Sequence, residues 1–152
     1  MDKPEGWGSH DTVNKVRRLA GIRRVGHLGT LDPMATGVLP LVLGKATRLA
    51  QFYVRAEKTY DAVIRFGYAT DTYDRDGSPV GPITEPRIGR AQLEAALEEF
   101  TGLLQQVPPP ISAKKIDGTP AYKLARKNIP VTLKPVEVTV FSAKLLETTG
   151  AE

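Results

Sequence analysis

A glycine-rich segment at residues 26–37 contains one carboxylate, Asp32, which is followed directly by Pro33. Pro33 disfavours helical backbone at Asp32, and the flanking glycines permit tight turns and the close approach of another backbone. An ionised carboxylate on such a stiff loop can act as a nucleophile or a general base. Asp-Pro is also a common turn initiator, and composition alone favours a purely structural turn.

Three other patterns lack the spacing that their chemistry needs. Residues 44–47 have neither the earlier glycine nor the Ser or Thr after Lys45 that a P-loop requires. Residues 74–77 lack the first and last ligands of a calcium loop and are better interpreted as an acidic turn. His10 and His27 are far apart in the sequence with no i, i+4 partner, so we expect no metal site.

The elements that would position the Asp32 loop follow from the spacing of apolar residues. Helical spacing and alternation predict, in chain order, a helix from Ser9 to Gly21, a strand at 38–43, a helix around 49–53, a strand at 60–67, a helix at 93–100, a short helix opening at Thr119-Pro120, and a strand from Val136 toward Leu146. Residues 71–82 are polar and rich in turn formers. Because helices and strands mix in an irregular order, the predicted fold class is α+β.

Composition excludes several classes of protein. The chain has 152 residues with 41% hydrophobic and 25% charged residues, which is typical of a globular domain. It has no cysteine, so a disulfide framework, a thiolate metal site and a cysteine nucleophile are excluded. The longest apolar run, residues 38–43, is interrupted by Pro40, and the first fifteen residues carry no signal-peptide core. We therefore expect a cytoplasmic protein without a membrane partner.

The net charge of +4 is unevenly distributed. Residues 1–50 carry eight Lys and Arg against four Asp and Glu, residues 51–100 carry six against nine, and residues 101–152 carry seven against four. Basic ends suit contact with a polyanion, although on charge alone an uneven solvated surface is favoured.

Blocks of sequence along nearly the whole chain, in a fixed order, resemble the TruB family of bacterial tRNA pseudouridine synthases. The blocks are residues 2–6 with Ser9, 26–33, 35–40, 44–47, 58–60, 70–72 with Asp74 and Gly77, 108–109, 112–113 with Lys115 and Gly118, 121–122 and 125–126. Residues 26–33 are highly specific. The resemblance implies the pseudouridine synthase catalytic fold, with a mixed, largely antiparallel sheet and flanking helices, incomplete at its C-terminal side.

The resemblance also implies an activity, namely isomerisation of the T-loop uridine at tRNA position 55 to pseudouridine, without a cofactor or metal. Asp32 would be the catalytic carboxylate, whether it adds to the pyrimidine ring, attacks the ribose or assists formation of a glycal. Tyr60 would stack on the flipped-out base, and His27 would help to hold the flipped-out loop. Without the family, Tyr60 is better explained as a core strand residue and His27 as a local hydrogen-bonding residue. The expected partner is the T-arm of tRNA, bound by a monomer.

Phosphate contacts are expected from two basic clusters. The first contains Lys15, Arg17, Arg18, Arg23 and Arg24, and the second contains Lys114, Lys115, Lys123, Arg126 and Lys127. The second cluster matches the family's RNA-clamping insertion, at about residues 104–135. Charge runs are usually solvated faces, but two of them flanking a candidate carboxylate favour RNA.

The chain also departs from the family pattern. Gly8 stands where Ser or Thr is usual, and Ile111 stands where Tyr is usual. The short strand before residue 2, a Gly-Thr-Tyr-Ile/Val-Arg block that supplies a tyrosine and an arginine partner for the carboxylate, and an appended RNA-binding domain do not occur in the 152 residues. We therefore interpret residues 1–152 as part of a catalytic domain and expect them to be poorly active alone. The alternatives are a catalytically deficient RNA-binding fragment and, far behind, a glycosidase, which would need paired acids.

Overall fold

A computed structural model describes residues 1–53, 55–109 and 133–149, together with the backbone of residues 115–116 and 119–120. The chain divides into two compact units, Met1–Ala62 and Val63–Glu152. Both units contain helices and strands. Each sheet found in the described residues consists of two antiparallel strands. The α+β class with antiparallel strands is therefore confirmed. None of the described helices is long and apolar enough to cross a membrane.

The first unit begins with a short strand and a helix. In chain order its elements are β1 (Asp2–Lys3), α1 (Ser9–Ala20), β2 (Val25–His27), β3 (Gly37–Val38), β4 (Leu41–Leu43), a 3-10 helix (Gly44–Leu49) and α2 (Ala50–Tyr53). Strand β1 pairs with β3, and β2 pairs with β4. The apolar core consists of Val13, Val25 and Leu39, so α1 packs over the paired strands.

The bounds of α1 agree with the predicted helix. Its first turn is capped by the Asp11 carboxylate, which accepts a hydrogen bond from the Gly8 N–H at 2.8 Å. The helix ends at Gly21, whose φ of +64° is left-handed backbone that glycine adopts without steric cost. Local capping chemistry thus defines both ends of the helix.

The predicted strand at residues 38–43 is interrupted. It forms two separate strands, β3 and β4, with Leu39 and Pro40 between them. Pro40 has no N–H to donate to a ladder, but its carbonyl accepts a hydrogen bond from the Leu28 N–H at 3.0 Å. Pro40, which lies between β3 and β4, therefore connects these strands to the glycine-rich loop by a hydrogen bond.

The second unit contains a hairpin, a helix and two further strand pairs. Its elements are β5 (Ala69–Thr70), β6 (Pro79–Val80), α3 (Arg90–Glu99), β7 (Gly102–Gln106), β8 (Lys115–Ile116), β9 (Thr119–Pro120) and β10 (Val136–Val140). Strand β5 pairs with β6, β7 with β10, and β8 with β9. In the turn between β5 and β6, the Asp71 and Asp74 carboxylates accept backbone N–H groups, as expected for an acidic turn.

Three further predicted elements differ from the structure. Residues 60–67 alternate as a strand does, but they pair with no other strand among the described residues, and Val63 is fully exposed. The strand that starts at Val136 ends at Val140, which pairs with Gly102, the first residue of its antiparallel partner β7. Thr119 and Pro120 begin no helix but form β9, and the remainder of that predicted helix lies outside the described residues. Each difference reflects strand pairing, which a local pattern does not encode.

Gly67 allows a test of local packing in the second unit. Its φ is +108°, its carbonyl accepts the Thr84 N–H at 2.9 Å, and an added Cβ would overlap the Thr84 carbonyl oxygen. Gly81 has a similar φ of +80° but open space around it. We expect Gly67→Ala to lower the free energy of unfolding by about 1–3 kcal/mol more than Gly81→Ala, because only Gly67 adds a steric clash to backbone strain. Urea unfolding of the two variants checks this, and equal losses would contradict it.

Candidate active site

The Asp32 loop is anchored by a buried lysine from β1. The Lys3 side chain is completely buried, and its ammonium donates to the carbonyl oxygens of Pro4 at 3.0 Å, Trp7 at 2.6 Å and Pro33 at 3.2 Å. These bonds match the three donors of an ammonium group. The Pro33 carbonyl also accepts the Gly6 N–H at 2.8 Å. The residue directly after Asp32 is therefore held to the N-terminal segment by two hydrogen bonds.

The residue directly before Asp32 is held by the start of α1. The Ser9 hydroxyl donates to the Leu31 carbonyl at 2.9 Å and accepts the Leu31 N–H at 2.9 Å. Ser9 is buried, so these bonds are shielded from water. The sequence identified Ser9 as a possible helix cap, whereas its hydroxyl fixes the loop instead. In the sequence, only the position of Ser9 within a block that resembles the family indicated that it has a role beyond capping.

Asp32 itself combines a tight turn with a free carboxylate. The Ala35 N–H donates to the Asp32 backbone carbonyl at 3.0 Å, which closes the turn expected of Asp-Pro. The Asp32 side chain is exposed, and its carboxylate accepts no hydrogen bond from the described residues. The backbone therefore makes the expected turn, while the chemical role of the exposed side chain stays a prediction.

His27 lies at the end of β2 and is half-buried. Its Nδ1 is within hydrogen-bond distance of the Gly29 carbonyl oxygen. Its ring also meets the ring of His10, with the centroids 5.8 Å apart and the planes at 79°, an edge-to-face arrangement. His10 is the second residue of α1, so the two histidines come together despite their separation in the sequence. The described residues contain no group of three or more His, Cys, Asp or Glu side chains placed to hold a metal ion.

Tyr60 does not lie in a core. Its side chain is 63% exposed, so its interpretation as a buried strand residue is wrong. Lys58, two residues earlier, approaches the glycine-rich loop closely: a Cβ added at Gly29 would lie 3.4 Å from the Lys58 Cε. The segment of residues 58–60, which includes Tyr60, therefore begins at a residue that lies close to the loop carrying His27 and Asp32.

In the first basic cluster, Arg17 differs from the other members because its guanidinium makes hydrogen bonds within the protein. The Arg17 guanidinium donates to the Asn14 side chain at 3.2 Å and to the Val25 carbonyl at 3.3 Å, so it connects α1 to β2. Lys15 is half-buried, and the side chains of Arg18, Arg23 and Arg24 are exposed.

An open cavity of about 510 Å³ lies where α1 ends. It is lined by Arg17, Arg18, Gly21, Ile22 and Arg23. Two exposed members of the first cluster, Arg18 and Arg23, therefore line this concavity.

The side chains of the second cluster lie outside the described residues. Those residues are Lys114, Lys115, Lys123, Arg126 and Lys127. The predicted insertion at about residues 104–135 overlaps the stretch between Gln106 and Val136, which are paired in the β7–β10 ladder. Its role stays a prediction.

Comparison with known protein families gives a match along most of the chain. The family model described as "TruB family pseudouridylate synthase (N terminal domain)" matches residues 17–152. The chain is 57% identical to tRNA pseudouridine synthase B of Solibacter usitatus, over 99% of this chain and 51% of the relative. It is 51% identical to the protein of that name from Thermobifida fusca, over 92% of this chain and 48% of the relative. The chain thus spans about half the length of these curated relatives.

A solved structure supports the same fold. A chain in the crystal structure of a Cbf5-Nop10-Gar1 complex matches with a TM-score of 0.60 and 25% sequence identity. The match covers 98% of this chain and 35% of that chain.

The Lys3 anchor can be tested by stability. Lys3→Met keeps an apolar stem but removes three hydrogen bonds, so we expect the free energy of unfolding to fall by about 3 kcal/mol or more. Lys45→Met, at an exposed lysine, is the control and should change it by less than about 0.5 kcal/mol. Trp7, the one tryptophan of the chain, reports urea unfolding by its fluorescence. Similar losses in the two variants would show that the anchor contributes nothing.

Proposed function

The chain belongs to the TruB family of pseudouridylate synthases, and we propose that it forms part of an enzyme that isomerises the uridine at position 55 of the tRNA T-loop to pseudouridine. The observation that carries this proposal is the exposed Asp32 carboxylate, whose neighbours Leu31 and Pro33 are both fixed by buried side chains. The relatives' name, tRNA pseudouridine synthase B, supports the reaction and the substrate class.

The proposed reaction is an isomerisation, in which the nucleotide keeps its composition because it loses one proton and gains another. The bond from ribose C1′ to uracil N1 breaks, the uracil rotates, and C1′ bonds to C5, whose hydrogen leaves as a proton. N1 gains a proton in return. An ionised carboxylate can serve this sequence as a nucleophile or as a general base, and a fixed backbone preorganises it. Asp32 has the exposure and the rigid support for that role.

The target uridine must leave its stack to reach Asp32. We assign Tyr60 to stacking on the flipped base, since the residue is 63% exposed and carries an aromatic ring that can stack on a base. We assign His27 to holding the displaced loop, since its half-buried ring is fixed by contacts at the end of β2.

RNA phosphates are assigned to the cations of the first cluster whose side chains make no hydrogen bond or ion pair with the residues that the structure describes. Lys15, Arg18, Arg23 and Arg24 remain in this set, while the Arg17 guanidinium is bound to Asn14 and Val25. The T-arm of tRNA is the proposed partner. The clamping role of the second cluster, the partial catalytic domain over residues 1–152, the monomeric state, the absence of a cofactor and the cytoplasmic location stay predictions.

Asp32 is tested in a chimera in which this chain replaces the matching half of the Solibacter usitatus relative. Release of tritium from C5-labelled uridine in a T-arm hairpin measures turnover. We expect Asp32→Asn to lower the turnover rate by at least about 100-fold, because the amide cannot act as a base or nucleophile. Hairpin binding should persist, because the loop is held by Lys3 and Ser9.

Glu85→Gln, at an exposed carboxylate of the second unit, is the matched control and should leave turnover unchanged. Retained turnover in Asp32→Asn would overturn the assignment. Hairpin binding without turnover in the unsubstituted chimera would favour the catalytically deficient RNA-binding alternative.

The phosphate assignment is tested by salt dependence. Replacing Arg23 and Arg24 together with glutamine should weaken hairpin binding and reduce the slope of log affinity against log salt by about one to two. Arg17→Gln should leave the slope unchanged and lower the stability instead, since its guanidinium bonds within the protein. A double variant with an unaltered slope would contradict the assignment.

A further inference from the structure

The contact between His10 and His27 joins the start of α1 to the end of β2. The centroids of the two rings are 5.8 Å apart, with the planes at 79°. Edge-to-face packing of this kind is a favourable arrangement of aromatic rings, because the positive edge of one ring meets the negative face of the other. Nothing in the reaction described above requires His10, so the contact needs a separate explanation.

The backbone on both sides of this contact is already fixed. His27 pairs with Leu41 in the β2–β4 ladder. His10 follows Ser9, whose hydroxyl makes two hydrogen bonds with Leu31. The backbone leaves open only the rotation of the His27 side chain, and two contacts restrict that rotation: the ring of His10 and the Gly29 carbonyl.

The second contact of the His27 ring determines where its proton lies. A carbonyl oxygen only accepts hydrogen bonds, so the bond between Nδ1 and the Gly29 carbonyl requires a hydrogen on Nδ1. In a neutral ring, Nε2 then carries a lone pair. Among the described residues no side chain or backbone group donates to this Nε2. The ring is left with an unused acceptor.

We propose that His10 is a positioning residue for His27: its ring holds the His27 imidazole in the orientation in which Nδ1–H donates to Gly29 and Nε2 accepts a hydrogen bond from a hydroxyl or N–H group of the bound nucleotide. The role toward RNA rests on the proposed function, whereas the orientation and the tautomer do not. A metal ion between the rings is not favoured, because the described residues place no third ligand with them.

Imidazole nitrogen spectroscopy tests the tautomer on this chain directly. The chain has two histidines, so the ring signals of the ¹⁵N-labelled protein are assigned by comparison with His27→Ala. At about pH 8.5, where an ordinary imidazole is neutral, we expect His27 to show a protonated Nδ1 and an unprotonated Nε2.

His10→Ala should shift His27 toward the Nε2–H tautomer, because the freed ring leaves the Gly29 carbonyl. His10→Phe, which keeps an aromatic ring, should retain the pattern of the unsubstituted protein. The same nitrogen pattern in His10→Ala and in the unsubstituted protein would overturn the proposal. If His10→Ala fails to fold, loss of the Nδ1–H pattern in His10→Phe overturns it equally.

A double-mutant cycle on the chimera tests the consequence for RNA. His10→Ala should weaken T-arm hairpin binding about 5-fold, which corresponds to about 1 kcal/mol. In the His27→Ala background, His10→Ala should have no further effect, because a positioning residue acts only through its partner. Gln51→Ala, at an exposed position of α2, is the control and should bind as the unsubstituted chimera does.

Additive losses in the cycle would show that His10 acts independently of His27 and would overturn the positioning role. Failure of the unsubstituted chimera to bind the hairpin would instead contradict the proposed function, and the nitrogen spectra would still decide the orientation of His27.

Discussion

The buried ammonium of Lys3 is the interaction on which the candidate site depends. Taking a cation out of water is costly unless its hydrogen-bonding capacity is satisfied, and three carbonyl oxygens at 2.6–3.2 Å satisfy it here. Two of those carbonyls belong to the turn after β1, and the third belongs to Pro33. The same charge therefore folds the N-terminal segment on itself and attaches the distant glycine-rich loop to it.

The first turn of α1 completes this arrangement from the other side. Its first residue, Ser9, holds Leu31, and its second residue, His10, contacts His27. One helix start thus supports the loop at both of its candidate site residues, His27 and Asp32, so their relative placement depends on α1 as well as on the loop itself. Rigid support of this kind is what a preorganised site needs.

Local features were predictable from the sequence, and non-local ones were not. Both ends of α1 are determined by nearby residues, since Gly21 ends the helix and capping within one turn begins it. The helix could therefore be predicted from local sequence alone. Residues 60–67 have the alternation of a strand, but a strand forms only with a partner, and none is present among the described residues. The family resemblance singled out Asp32, His27 and Tyr60, whereas the contact of His10 with His27 joins residues whose sequence positions carry no pairing signal.

The exposed carboxylate between two fixed neighbours has a consequence for how this site can change over generations. The folded state depends on Lys3, Ser9 and main-chain groups, and the Asp32 side chain makes no hydrogen bond to any residue that the structure describes. The hydrogen bonds that hold the described part of the fold together therefore place no demand on the side chain at position 32. Under the proposed function, a lineage that no longer needed the reaction could lose that carboxylate while keeping the same scaffold.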